Sequence, residues 1–267
     1  MIFPRRTVSA DVRVRGDALH GGHPADVRVH PAEDGLWFRY GAYRVEAIPA
    51  NVTDTNRRTK LGSINTIEHL MSALAMLGIT DADIEVSGDE LPAADGCALP
   101  YITALQSVLV DLPSRERPDL FARIWEKSDS SEIAIAAGDG HWRYEFVGPE
   151  GRFPGHQVFE CMLSRESCTN EIAPARTTAF DFEVEMARAA GLGLGLTEES
   201  CLVLGPEGYV NPARFPDEPA RHKLLDLIGD LWLARVPITM LNVDASRSGH
   251  TANVAAAARL AQAVPLT

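Results

Sequence analysis

The chain has 267 residues, 45% hydrophobic and 23% charged, which excludes disordered, collagen-like and coiled-coil classes and allows one large domain or two ordinary ones. Its 37 acidic and 25 basic residues give a net charge of −12. That balance argues against nucleic-acid and anionic-membrane partners, and any anionic ligand then needs a local basic pocket.

Taken in order, the first third alternates with the period of strands. Val8–Val14, Ala25–His30, Leu36–Tyr40 and Tyr43–Ile48 are the expected strands, with a turn at Leu19–Pro24. The period then becomes helical from Thr66 to Leu77, and Gly78 stands where a helix terminator belongs. A strand at Asp83–Val86 and a helix at Pro100–Val110 complete this half. The proline-bounded, charged stretch Leu112–Pro118 reads as a linker. Beyond it come strands at Ile133–Ala137 and Trp142–Val147, then further short strands, notably Ser200–Leu204. A helix at Pro219–Leu233, a strand at Ile238–Val243 and a last helix from Thr251 to Ala263 follow. Both halves run strands, helix, strand, helix. The expected fold is therefore α+β, with two similar domains (residues 1–112 and 119–267), each a small mixed sheet packed on two helices.

The cysteines Cys97, Cys161, Cys168 and Cys201 form no CxxC pair, which suits a reducing compartment. Arg5, Arg6 and Asp11 leave no apolar core for a signal peptide, and no apolar run approaches the ~20 residues of a membrane span. A cytoplasmic protein without stable membrane insertion is expected. Only Lys60, Lys127 and Lys223 depart from arginine among the basic residues, so a lysine here marks a place where a flexible ammonium is wanted.

Three clusters could carry chemistry: Glu68-His69 at a helix start, the run Arg221–Asp230, and Ser246–His250 before the last helix. A helix puts His222 and Asp226 on one face, where an imidazole and a carboxylate can hold two positions of a metal ion. A catalytic zinc takes three protein ligands and keeps one position open, and His69 is the natural third. Glu68 points away from His69 yet can serve as a general base. Asp230, one turn further, can hold a histidine protonated, which would make His250 a general acid. Taken singly, each cluster also fits an exposed first turn, a surface ion pair or a loop histidine. Spacing alone yields a candidate metallohydrolase.

The blocks Thr66–Leu70, Arg214–Leu231 and Ser248-Gly249-His250 resemble the UDP-3-O-acyl-N-acetylglucosamine deacetylases, the zinc enzymes of lipid A biosynthesis. Leu19–Gly22, Pro92–Gly96 and Ala175-Arg176-Thr177 are similar in the same order. The resemblance spans Arg5 to Leu260. It implies two similar α+β domains with the active site between them, and zinc on His69, His222 and Asp226, ferrous iron being the alternative. It further implies Glu68 as base, His250 as acid paired with Asp230, Thr177 as an oxyanion donor, and Lys223 near the substrate. The implied partner is a small nucleotide sugar, met also by Arg247, Thr178 and His20, and the implied state is a monomer.

Several positions depart from the family pattern. Thr178 replaces an aromatic, Arg247 replaces a lysine, and Ala94 replaces a larger apolar residue. Gly148–Cys168, expected to contribute to an acyl passage, is not uniformly apolar. These departures keep open a paralogue acting on another N-acetylated sugar or nucleotide without a long acyl chain. A catalytically silent metal-binding or scaffold protein is disfavoured by the presence of Glu68, His250 and Thr177, none of them an implied ligand.

Overall fold

The computed structural model describes residues 2–119, 123–128 and 130–265. The first half contains β1 (Ile2–Val8), β2 (Val12–Asp17), β3 (Pro24–His30), β4 (Leu36–Tyr40) and β5 (Tyr43–Glu46). A short ribbon follows, β6 (Val52–Asp54) and β7 (Lys60–Leu61), and then α1 (Glu68–Leu77), β8 (Ala82–Val86), α2 (Leu99–Leu105) and β9 (Leu109–Glu116). The second half contains β10 (Ile124–Lys127), β11 (Glu132–Ala137), β12 (His141–Val147), β13 (His156–Met162) and the single turn α3 (Arg165–Ser167). It continues with β14 (Thr177–Phe180), α4 (Asp181–Ala189), β15 (Cys201–Leu204), α5 (Glu218–Leu231), β16 (Leu241–Ser246) and α6 (His250–Ala263).

The two five-stranded sheets have one topology. Their orders are β2-β3-β8-β4-β5 and β10-β11-β16-β12-β13. In each, the third strand pairs parallel with the fourth, and every other pairing is antiparallel. The parallel pairing follows because β8 and β16 each arrive after a helical crossover. Alternate residues face inward: Val27, Val29, Phe38 and Ile84 in the first sheet, Ile133, Ile135, Trp142, Tyr144 and Val243 in the second, all buried. The α+β class and the repeated unit agree with the sequence.

Some expected elements differ. Val8–Val14 is not one strand: the chain bends at Ser9-Ala10, and Ile2–Val8 leaves to pair with Leu109–Glu116. The helix expected over Pro100–Val110 ends at Leu105, and Leu112–Glu116, expected as linker, belongs to that antiparallel ladder. Pro4 and Pro113, which cannot donate to a ladder, fall where its register shifts, between Phe3 and Arg5. The strand expected from Ile238 begins at Leu241, because the residues after Pro237 form a 3₁₀ turn. No helix among the described residues is long and apolar enough to cross a membrane.

All ten residues of α1 are buried. It lies against α5 and α2 within one continuous core, and apart from Glu68, His69 and Ser72 it is apolar all round, as an enclosed helix must be. It ends at Gly78 with φ 68°, the left-handed conformation that terminates helices at glycine. The α1–α5 crossing depends on Gly229, since a Cβ there would lie 2.2 Å from the Glu68 carbonyl oxygen. Gly229→Ala should therefore destabilise the protein by about 1–3 kcal/mol through overpacking. Gly208→Ala, where a Cβ meets nothing within 4 Å, should change stability by less than about 0.5 kcal/mol. Denaturant melts of the two variants check this, and equal small effects would show that the crossing tolerates a side chain.

Candidate metal centre and acid–base site

Close approach of α1 to α5 brings His69, His222 and Asp226 together, one ligand atom from each within 4.8 Å of the others. Nε2 of His69 is 3.8 Å and Nε2 of His222 is 3.4 Å from Asp226 Oδ1, and the two rings meet edge to face with centroids 5.2 Å apart. All three residues are buried. His222 Nδ1 donates to the Ala175 carbonyl at 3.0 Å, which leaves Nε2 with its lone pair aimed at the cluster. Burial, reinforced by His222, holds the His69 pKa down at about 3, and burial lowers His222 as well, so both imidazoles are neutral donors. Burial opposes the charge of Asp226, but the surrounding groups, His222 and Lys223 foremost, hold its carboxyl well below the usual carboxylate range.

Asp226 Oδ2 accepts from Lys223 Nζ at 2.9 Å, whereas buried Oδ1 has no hydrogen-bond partner. An unpartnered buried carboxylate oxygen between two neutral imidazole nitrogens is a donor set that fits a divalent cation, with the two nitrogens suiting zinc or ferrous iron. The Lys223 side chain is 30% exposed toward the cavity, and its charge is favoured by Asp226 against the cost of burial, with the pKa pushed up to about 12.

Glu68 opens α1 beside His69. Burial raises its carboxyl pKa to about 7, opposed by His250 and assisted by Asp226 and Asp230. Its Oε2 accepts the Thr59 backbone N–H at 3.0 Å. Asp230, at the far end of α5, accepts from His250 Nδ1, from Asn253 Nδ2 (each 2.9 Å) and from the Thr59 hydroxyl at 2.6 Å. Burial opposes charging His250, but the charge and hydrogen bond of Asp230 outweigh it, and the His250 pKa rises to about 9. His250 starts α6, and the loop before it is pinned by the Tyr144 hydroxyl donating to the Ser248 carbonyl.

Glu68, His69, His222, Lys223, Asp226 and His250 line a cavity of about 820 Å³. Thr177 and Thr178 of β14, His20, and Arg247 are on its wall. The Thr177 backbone N–H is held by the Gly96 carbonyl at 2.8 Å. His20 Nδ1 accepts from Gly193 at 3.3 Å, its Nε2 is unpartnered, and burial lowers its pKa. Arg247, exposed and at φ 54°, also lines a second cavity of about 500 Å³ made by Val147–Gly151, Gly155 and His156. No described residue forms an ion pair with it. Ala94 is in neither wall.

The apolar part of the main cavity's lining comes from Leu19, Val184, Ala187, Leu192, Leu196 and Val203. All but Leu19 belong to the β14–α4–β15 unit, two parallel strands joined by a helix, and no residue of Gly148–Cys168 contributes. The segment expected to form a passage therefore borders the second cavity instead. Four contributors escaped the sequence reading: Thr59, Asn253, the Ala175 carbonyl and the Arg176–Glu218 ion pair (2.8 Å) that steadies the segment around it. Only Glu218 had a signal available, since Glu218, His222, Asp226 and Asp230 recur every four residues as one buried stripe of α5.

The sequence matches the family model of the UDP-3-O-acyl N-acetylglycosamine deacetylases over residues 5–262. The chain belongs to this family. Relatives named UDP-3-O-acyl-N-acetylglucosamine deacetylase include one from Geobacter sp. (strain M21), 34% identical over 95% of this chain and 87% of its own length. One from Neisseria gonorrhoeae is 34% identical over 93% and 87%, and one from Aquifex aeolicus is 32% identical over 98% and 94%.

The chain should bind one divalent cation, measured by equilibrium dialysis and elemental analysis. His69→Ala and Asp226→Asn should each weaken that affinity beyond the roughly 10–100-fold lost when an outer partner of a ligand is removed. Undiminished binding in both variants would place the ion elsewhere.

Proposed function

We propose that this chain is a zinc-dependent N-deacetylase that hydrolyses UDP-3-O-acyl-N-acetylglucosamine to the free amine and acetate, the lipid A step. It would act as a cytoplasmic monomer, residues 1–112 supplying Glu68 and His69 and residues 119–267 supplying Thr177, His222, Asp226 and His250. The observation that carries this reading is that Leu19, Val184, Ala187, Leu192, Leu196 and Val203 line the same cavity as the His69–His222–Asp226 cluster. A nucleotide sugar without an acyl chain has nothing to place against them.

His69, His222 and Asp226 would hold the ion, which supplies Lewis acidity and an activated water when bound. Glu68 accepts the proton of the attacking water, its carboxyl poised near neutrality by burial. The Thr177 hydroxyl, on the cavity wall, donates to the oxyanion as it develops. His250, kept cationic by Asp230, delivers a proton to the departing amine. Lys223 and Arg247 give the acidic chain the local positive corner that a diphosphate needs. Leu192, Leu196, Val184 and Val203 surround the acyl chain from the β14–α4–β15 unit, which compensates for the polar Gly148–Cys168.

Acetate release from UDP-3-O-acyl-N-acetylglucosamine and from UDP-N-acetylglucosamine, measured side by side, tests the substrate. The acylated sugar should be turned over far faster, and Glu68→Ala should lower its kcat roughly 10²–10⁴-fold. Equal or faster turnover of the unacylated sugar would favour the paralogue acting without an acyl chain. Leu196→Asp, a carboxylate in the apolar lining, should cut kcat/KM for the acylated sugar roughly tenfold or more and leave that for the unacylated sugar unchanged.

A further inference from the structure

The tip of the β6–β7 ribbon lies across the cavity and is tied to the second half at two points. Thr55 Oγ1 is 2.7 Å from Thr251 Oγ1 on α6, and Arg57 Nη2 donates to Glu183 of α4 at 2.9 Å. Arg57 itself adopts φ 59°, a left-handed conformation that a non-glycine residue keeps only where its surroundings impose it. Two residues further on, the same segment delivers Thr59 into the site, fully buried.

Thr59 touches both proton-transfer groups. Its backbone N–H donates to Glu68 Oε2 at 3.0 Å, and its hydroxyl donates to Asp230 Oδ1 at 2.6 Å. The hydroxyl oxygen also lies 3.2 Å from His250 Nδ1, the nitrogen that donates to Asp230 Oδ2 at 2.9 Å. A hydroxyl carries one proton and two lone pairs, so it can donate to the carboxylate and accept from the imidazole together. The terminal torsions of glutamate and histidine side chains are broad and nearly two-fold, and hydrogen bonds to fixed partners decide where such groups point. Thr59 supplies those bonds to groups from opposite halves of the chain.

We propose that Thr59 is a positioning residue for the reaction: its backbone N–H holds the Glu68 carboxylate, and its hydroxyl, placed against both His250 Nδ1 and Asp230 Oδ1, fixes the imidazole in orientation to it. This rests on the reading of Glu68 as base and His250 as acid. Asn253 Nδ2 also holds Asp230 Oδ2 at 2.9 Å, so loss of the Thr59 hydroxyl removes the 2.6 Å donor to Asp230 Oδ1 and the 3.2 Å neighbour of His250 Nδ1 and loosens the orientation of the pair without dislodging Asp230.

The test compares the zinc-loaded full chain with Thr59→Val, which keeps the volume without the hydroxyl, and Thr59→Ser, which keeps the hydroxyl. Thr59→Ala gives the same comparison should valine crowd the loop. The ring N–H resonance of His250, recorded by nitrogen-15 histidine NMR without substrate, should move or broaden in Thr59→Val and stay as in wild type in Thr59→Ser. In acetate release, Thr59→Val should lose roughly 10–100-fold in kcat with KM within about twofold, the pattern of a group that acts on the transition state. Thr59→Ser should recover most of the rate. An unmoved His250 resonance in Thr59→Val overturns the proposal, as does a moved resonance with unchanged kcat. Absence of acetate release in wild type overturns the deacetylase reading instead, and the resonance alone then decides whether Thr59 orients His250.

Discussion

Everything at the site depends on how closely α1 can lie against α5. Without a side chain at Gly229, the backbone of the Glu68 turn enters the groove of the opposing helix. Two candidate ligands on α5 and one on α1 then come within 4.8 Å of one another, close enough to hold one ion. A wider crossing would leave the donors in two unconnected places, His69 with the first sheet and His222 with the second. The same contact buries Glu68, Asp226 and Asp230. Isolated charges are costly there, and each must be offset by a partner.

The offset is arranged along α5. Glu218, His222, Asp226 and Asp230 form one stripe with a period of four, and each member faces its own counterpart. Glu218 pairs with Arg176, Asp226 with Lys223 and the imidazoles, and Asp230 with His250. Only at Asp226 Oδ1 is a buried acceptor of this stripe left without a hydrogen bond. Removing one member of such a buried pair costs more than the pair is worth, so the stripe constrains its own alternatives. The Arg176–Glu218 pair also holds the segment whose Ala175 carbonyl orients His222 and whose next residue is Thr177.

Local patterns in the sequence revealed what local physics determines. Leu36–Tyr40 is legible to its ends because its alternation is unbroken, and α1 at its C-terminal end because its period runs uninterrupted into Gly78, although it begins at Glu68 and not at Thr66. The long ladder between Ile2–Val8 and Leu109–Glu116 left no local trace, since each strand finds its partner at the other end of the half. In β13 only Phe159 is buried, so its alternation is weak. α4 was concealed by its composition: Phe182, Val184 and Met186 alternate as in a strand, yet the segment is a helix with no buried residue, facing a cavity on one side. The shared face of His222, Asp226 and Asp230 is legible because their spacing matches helical geometry, whereas the convergence of His69, Glu68 and His250 on it from other helices is implied by the family resemblance. Thr59 and Asn253 are not legible, because a threonine in a loop and an asparagine in a helix look ordinary until a distant carboxylate is seen beside them.

The two halves share one topology and differ in what each inserts before its first long helix. Between its fourth strand and α1, the first half carries the β6–β7 ribbon. At the equivalent point before α5, the second half carries α3, a wide turn and the β14–α4–β15 unit. Both insertions reach the site, because both lead into the helix ends that hold the metal donors. The ribbon brings Thr59 to Glu68 and Asp230, while the larger unit brings Thr177 and apolar lining of the cavity. The duplicated sheets and helices therefore supply a rigid, symmetric frame with its donors at the centre, and the asymmetry needed to tell one end of a substrate from the other comes from the insertions. Arg57 and Glu183 link the two insertions directly across the opening, so the wall that would receive an acyl chain and the loop that holds the proton-transfer groups meet in one contact.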